Sequence, residues 1–211
     1  MPPQAPRAGG TAVPGGTAVL IPVKAFGLAK RRLAGVVDTE ARAALAEHMA
    51  TIVVRAAGPL TVAVVCDDER VAAWARSLGA LVLEEPGRGL DAAVGSGVEQ
   101  LARLGADRVV VAHADLPHAA DLHLVDRGGI TLVPDLRRDG TNIAVVPSDG
   151  RFRFAYGPGS FARHAAEAAR LGLELHVVDD ARLGLDIDLP ADLATWLGEP
   201  GAAGLVAPDP A

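Results

Sequence analysis

Short apolar runs rich in β-branched residues alternate with stretches of helical periodicity, and this alternation limits the chain to a narrow set of folds. The runs fall at 17–23 (TAVLIPV), 61–66 (TVAVVC), 80–83 (ALVL) and 108–112 (RVVVA), and further ones follow at 130–133, 142–146 and 174–178. Their lengths suit strands covered on both faces. Helical spacing of apolar residues occupies 39–56, 68–78, 90–104, 160–171 and 190–197. Strand and helix in strict turn predict a parallel sheet with helices on both faces. Thr39, before Glu40, and Ser160, after a Gly-Pro-Gly turn, are the expected helix caps. Between 130 and 156 strands follow one another without a helix, and RFRFAY (151–156) alternates polar and aromatic residues, which adds an antiparallel section. The expected architecture is therefore α/β, a mostly parallel mixed sheet flanked by helices on both faces. One domain is expected over 17–198, between disordered Pro/Gly/Ala-rich tails at 1–16 and 199–211.

Composition removes several function classes. Hydrophobic residues make up 50% of the 211, enough for a substantial core. The net charge of −6 opposes binding to duplex nucleic acid, and 3% aromatic residues leave little to stack on single strands. A single cysteine, Cys66, excludes an intrachain disulfide framework and a multi-cysteine metal cage. No apolar stretch is of membrane-spanning length, and the first 16 residues lack the apolar core of a secretion signal. A soluble, cytoplasmic protein with neither nucleic-acid nor membrane partners is the expectation.

In a parallel α/β sheet, ligands bind where strands end at their carboxyl side, so the loops there hold the candidate chemistry. The loop after the first run, IPVKAFGLAKRRL, gathers Lys24, Lys30, Arg31 and Arg32. Of 20 basic residues in the chain only Lys24 and Lys30 are lysine, so both stand in this one loop. Such a loop can wrap a triphosphate and offset charge on a departing pyrophosphate, or it is a solvated basic turn. Residues 84–97 (EEPGRGLDAAVGSG) form a glycine-rich turn that feeds a helix near Leu90; it either meets a ligand edge or merely connects two elements.

VVVAHADLP (109–117) carries Asp115 at the end of a strand, where a carboxylate can hold a divalent cation or cap a helix. In GLDIDLP (184–190), Asp186 and Asp188 are two residues apart, so in an extended segment they share a side. With Asp115 they would form an oxygen-only site, which favours Mg2+. The alternative makes Asp188 the cap of a helix starting at Pro190 and leaves Asp186 in solvent. PDLRRDGTN (134–142) supplies Thr141 and Asn142. In YGPGSFARH (156–164), Gly157, Gly159 and Ser160 stand at a helix mouth and form an expected anion pocket, with Arg163 and His164 one turn inside.

The succession PVKxxxxAKRRL, GLDAAV, HADLP, DGTN, YGPGSFxxH and GLDIDLP resembles the guanylyltransferases of deazaflavin coenzyme F-420 biosynthesis, from about residue 17 to 198. The resemblance implies a nucleotide-diphospho-sugar transferase architecture, GT-A-like and Rossmann-like. It implies transfer of GMP from GTP to phosphoenolpyruvate or 2-phospho-L-lactate with release of pyrophosphate, the product passing to a downstream deazaflavin transferase. It further implies that Asp115, Asp186 and Asp188 bind Mg2+, and that Thr141, Gly157 and Ser160, with Asn142 and Gly159 beside them, bind the phosphorylated acid. Lys24 and Lys30 correspond to the triphosphate loop, and with Asp115 they are the expected catalytic groups. Gly89, Leu90 and Asp91 correspond to the nucleotide-contacting turn, where the family usually has Gly-Leu-Asn. The acid's phosphate is already ionised at neutral pH, so no general base is required. The alternatives are a molybdopterin- or sugar-phosphate-type nucleotidyltransferase and a non-catalytic GTP-binding partner subunit.

Overall fold

A computed structural model describes residues 13, 16–84 and 89–198. Seven strands form one sheet: β1 (Gly16–Pro22), β2 (Thr61–Cys66), β3 (Leu81–Glu84), β4 (Ala106–Ala112), β5 (Ile130–Pro134), β6 (Thr141–Pro147) and β7 (Leu175–Val177), in the order β3-β2-β1-β4-β6-β5-β7. β2 and β4 both lie parallel to β1, β3 lies parallel to β2, and β7 lies parallel to β5. β6 runs antiparallel to both β4 and β5, so it alone reverses the sheet. The strand order turns back between β1 and β4. Their carboxyl ends therefore bound a crevice, the switch point where open α/β sheets bind ligands.

Helices cover both faces, as the alternation predicts: α1 (Thr39–Ala56), α2 (Glu69–Ser77), α3 (Leu90–Arg103), α4 (Ser160–Leu171), the short α5 (Ala181–Gly184) and α6 (Pro190–Leu197). Residues of alternate parity on the strands serve the two faces. Val19, Ile21, Val64, Val110 and Ala112 pack with α1 and α2, while Ala18, Leu20, Val65, Val109 and Val111 pack with Val94, Val98 and Leu101 of α3. α3 lies so close to β1 that a Cβ on Gly97 would come 2.7 Å from Leu20 Cδ2. Along the outer strands, Ile130, Leu132, Ala144 and Val146 meet Ala168 of α4 and Phe152. A separate cluster of Leu33, Leu45, Met49, Leu185, Ile187, Leu193 and Trp196 clamps the 185–197 segment onto α1.

The structure corrects some local expectations. RFRFAY forms no strand. Its backbone donors go instead to side chains: Arg153 N donates to Glu167 Oε1, Ala155 N to His164 Nε2 and Tyr156 N to Asp91 Oδ1. Extended backbone satisfied in this way needs no ladder. Asp38, rather than Thr39, caps α1 by accepting from Ala41 N at 2.8 Å. Gly159, with φ 74°, is the cap residue of α4, and Ser160 is its first helical residue. Val13, inside the stretch expected to be a tail, is buried and donates to Leu104 O at 2.8 Å. The rest of that stretch up to residue 15 and residues 199–211 lie outside the described residues, as do positions 85–88 of the glycine-rich turn.

Candidate active site

β1 delivers the basic loop and β4 delivers Asp115 to the two sides of the switch point. Past β1 the chain makes two single 3-10 turns, Phe26–Leu28 and Arg31–Leu33, with Lys30 between them in the left-handed region (φ 54°, ψ 35°). A non-glycine residue held there is strained, and such strain persists where the surroundings fix it. Here the constraint is an ion pair. Lys30 Nζ donates to Asp115 Oδ2 at 2.6 Å, and only 7% of the Lys30 side chain is exposed. Burial alone would raise the Asp115 pKa, but the Lys30 charge and hydrogen bond, with His113, hold it below the ordinary value. Arg32, one turn on, pairs with Asp188, and Lys24 is exposed just past β1.

The 185–188 segment is placed by its apolar residues. Leu185 and Ile187 point into the α1 cluster, so Asp186 and Asp188 take the alternate side, as the spacing predicts. Ile187 N donates to Asp115 O at 3.2 Å, which ties this segment to the β4 loop. Neither plain alternative for the pair holds. The cap position of α6 is Leu189, and Asp192 accepts from Asp188 N and Leu189 N at 3.1 and 2.7 Å. Asp186 is half-buried rather than solvated, and burial together with Asp115 and Asp135 pushes its pKa up to about 6. No helix begins at Asp115, so it is not a helix cap.

These carboxylates have the chemistry of a hard-cation site. Asp115 Oδ1 is buried with no hydrogen-bond partner among the described residues, and Asp186 carries a charge that its neighbours resist. As placed, the arms are turned to protein cations, with Asp115 on Lys30 and Asp188 on Arg32. Among the described residues no three His, Cys, Asp or Glu side chains stand together closely enough to hold a metal.

On the other side of the crevice, α3 begins at Leu90 behind Gly89, whose φ of 94° favours glycine. Gly89 and Asp91 are exposed and Leu90 is half-buried. Asp91 Oδ1 accepts from Tyr156 N at 2.7 Å, and the Tyr156 ring lies 5.1 Å from that of His113. The turn, the 156–160 loop and the end of β4 thus adjoin. Among the described residues, His113 Nε2 and the Tyr156 hydroxyl are buried without hydrogen-bond partners.

The residues matched to the acid pocket are brought together, but their polar groups are largely engaged. Thr141 and Ser160 are 1% and 2% exposed. Ser160 Oγ accepts from Thr141 N at 3.0 Å, and Thr141 Oγ1 lies 3.0 Å from His164 Nδ1. Asn142 Nδ2 donates to Leu183 O and Gly184 O, both at 3.0 Å, so it anchors the stretch that leads into Asp186. The expected anion pocket at the start of α4 holds a carboxylate of the protein itself. Gly159 N donates to Asp139 Oδ1 at 3.0 Å and Phe161 N to Asp139 O at 3.1 Å, while Ser160 N turns back to Gly157 O. Arg163 binds the carbonyls of Ala155 and Pro158 and holds the 155–159 loop in shape.

Two participants had no role in the sequence reading: Asp139 at the α4 N-terminus and Asp192 under the 188–189 amides. The sequence reading puts His164 one turn inside the pocket, and its spacing of four residues from Ser160 puts it on the same helix face, but nothing in the sequence points to its contact with Thr141.

The architecture and its charged crevice define a nucleotidyltransferase-type α/β protein. The structure resembles a protein from Desulfovibrio desulfuricans described as a nucleotide-diphospho-sugar transferase, with a TM-score of 0.71 at 17% identity over 90% of this chain and 93% of that one. A cytidylyltransferase from Leptospira borgpetersenii superposes with a TM-score of 0.57 at 14% identity, over 90% and 92%. The chain belongs to the family described as "Guanylyl transferase CofC like", whose profile matches residues 17–198. Its relatives include the phosphoenolpyruvate guanylyltransferases of Rubrobacter xylanophilus and Sphaerobacter thermophilus. They are 38% and 35% identical, over 83% and 86% of this chain and 90% and 93% of theirs.

Proposed function

We propose that this protein transfers GMP from GTP to phosphoenolpyruvate and releases pyrophosphate, serving deazaflavin coenzyme F-420 biosynthesis. The observation that carries the reading is the pairing of Lys30 with Asp115 at the switch point, beside Asp186 and Asp188. This couples a triphosphate-binding cation to a carboxylate site in a chain whose relatives bear that name. A phosphate oxygen of the acid attacks the α-phosphorus of GTP in line. An O–P bond forms, the bond from the α-phosphorus to the bridging oxygen breaks, and its electron pair leaves with pyrophosphate. Because the nucleophile is already an anion, the protein's task is positioning and charge stabilisation.

Lys24 and Lys30 bind the triphosphate, and Gly89 to Asp91 meet the nucleoside. Thr141, Asn142, Gly157, Gly159 and Ser160 frame the acid, whose binding at the α4 N-terminus exchanges the Asp139 carboxylate for one of the substrate's anionic groups. Asp115, Asp186 and Asp188 are the residues that would hold Mg2+. Bound there, the cation supplies positive charge against phosphate oxygens as charge builds on the leaving group. Lys30, with Arg32 beside it in the same loop, is the cation that would meet the triphosphate.

Purified protein with Mg2+ and GTP should release pyrophosphate with phosphoenolpyruvate and not with 3-phosphoglycerate. 2-Phospho-L-lactate run in parallel tests the choice of acid. The downstream transferase and its deazaflavin acceptor are included in a second set, to draw off a tightly bound product. Silence with all three acids in both sets would refute the reading.

A further inference from the structure

His164 makes two hydrogen bonds, and together they decide the state of a third group. The ring is fully buried on α4. Its Nε2 accepts from Ala155 N at 3.0 Å. A backbone amide can only donate, so Nε2 bears no proton, and a neutral ring then carries its proton on Nδ1. Nδ1 stands 3.0 Å from Thr141 Oγ1, so the Nδ1–H donates to that hydroxyl. Burial favours the neutral ring and pushes its pKa down to about 4, which agrees with the geometry. The Thr141 hydroxyl is therefore an acceptor inside the protein, and its own hydrogen has no acceptor among the described residues.

We infer that His164 is a positioning residue that sets the Thr141 hydroxyl as a donor toward the anionic acid. A threonine hydroxyl left to rotate can present either a lone pair or its hydrogen to an anion, and only the hydrogen attracts it. With Nδ1–H on one lone pair, the hydroxyl cannot spend its hydrogen on His164, so that hydrogen stays available to donate to an anion. The same ring braces the 155–159 loop through Ala155 N, so one imidazole holds Thr141 and the loop bearing Gly157 in register. This rests on the reading of Thr141 as an acid contact given above.

The test measures KM for phosphoenolpyruvate, KM for GTP and kcat in four variants. Thr141→Val removes the hydroxyl. His164→Asn keeps an N–H near the Nδ1 position. His164→Gln moves its amide to the Nε2 position and leaves Thr141 without its donor. The fourth is the double variant Thr141→Val/His164→Gln. His164→Gln should raise the acid KM about tenfold with the GTP KM unmoved, as expected for losing one oriented hydrogen bond to an anion. His164→Asn should stay within about threefold of the parent, since it keeps the donor. The double variant should be no worse than Thr141→Val alone. If Thr141→Val raises the acid KM and His164→Gln does not, the role of His164 is refuted while the acid contact stands. If Thr141→Val leaves the acid KM unchanged, the acid contact is wrong and the proposal falls with it. Ring-nitrogen chemical shifts of His164 in the folded parent protein need no variant. Nδ1 protonated and Nε2 bare at neutral pH is the expected result, and an Nε2-protonated ring overturns the proposal.

Discussion

Replacing Asp186 by asparagine should make the metal-free protein more stable near neutral pH while abolishing GMP transfer. In the folded chain its pKa rises from 3.8 to about 6, through burial first and then the charges of Asp115 and Asp135. Between those two values the native state binds more protons than the unfolded chain, so stability falls as pH climbs through the interval and levels off above it. At about 1.36 kcal/mol for each tenfold change in acidity, the ionised carboxylate costs about 3 kcal/mol, and screening at a half-buried site trims this toward 2 kcal/mol. Asparagine has a similar shape and carries no charge at any pH. Urea unfolding in the presence of a chelator, at about pH 7.5 and about pH 3.5, reads the difference through the transition midpoint at unchanged slope. Asp186→Asn should gain about 2 kcal/mol at the higher pH and about nothing at the lower, where the parent carboxyl is itself neutral. No gain at the higher pH, or the same gain at both, would refute the electrostatic account. Such a cost fits the proposed cation-binding role of Asp186.

Other perturbations follow from the same contacts. Lys30→Met strands the Asp115 carboxylate without its cation and should cost about 3–5 kcal/mol at neutral pH. Added Mg2+ should recover part of that in a thermal melt, and an equal melting temperature with and without the ion would count against the shared site. Asn142→Leu leaves Leu183 O without its donor, while Gly184 O keeps Leu136 N, and should cost about 1–3 kcal/mol by urea unfolding. Because α5 leads directly into Asp186, the same variant should need more Mg2+ for half-maximal pyrophosphate release; an unchanged Mg2+ requirement would show that the anchor serves stability alone. Gly97→Ala drives a Cβ into Leu20, which is fully buried, and should cost about 1–3 kcal/mol, with loss of melting temperature as the check.

Periodicity made the layers of this fold legible because strand and helix spacing are local properties of the chain. Each apolar run became a strand within a few residues of its expected bounds, and the change of pattern after residue 130 marked the place where β6 reverses the sheet. RFRFAY shows where such reading stops. Alternation there reports that Phe152 and Phe154 face a core, but strand formation also needs backbone partners, and those partners are Glu167, His164 and Asp91, up to 65 residues away in the chain. The candidate site divides in the same way. Side-chain direction in an extended segment predicts Asp186 and Asp188 on one side, and the Ile187 N to Asp115 O bond ties that segment to the β4 loop. Among the described residues the three carboxylates do not gather closely enough to hold a metal.

Nothing local announces that Lys30 would lie on Asp115, Arg32 on Asp188, or Asp139 at the α4 N-terminus, since each pairing is a choice among many charges that only the packed chain makes. The three share one logic. The crevice concentrates charge that is costly to leave unmatched, and this chain matches it internally. Under the proposed function, substrate binding at such a site is an exchange of partners rather than the filling of open space. In that reading Lys30 has a reason to be a lysine in an arginine-rich chain. A compact ammonium on a flexible stem can move from a carboxylate to a phosphate, whereas a guanidinium in a bidentate pair is held by its geometry.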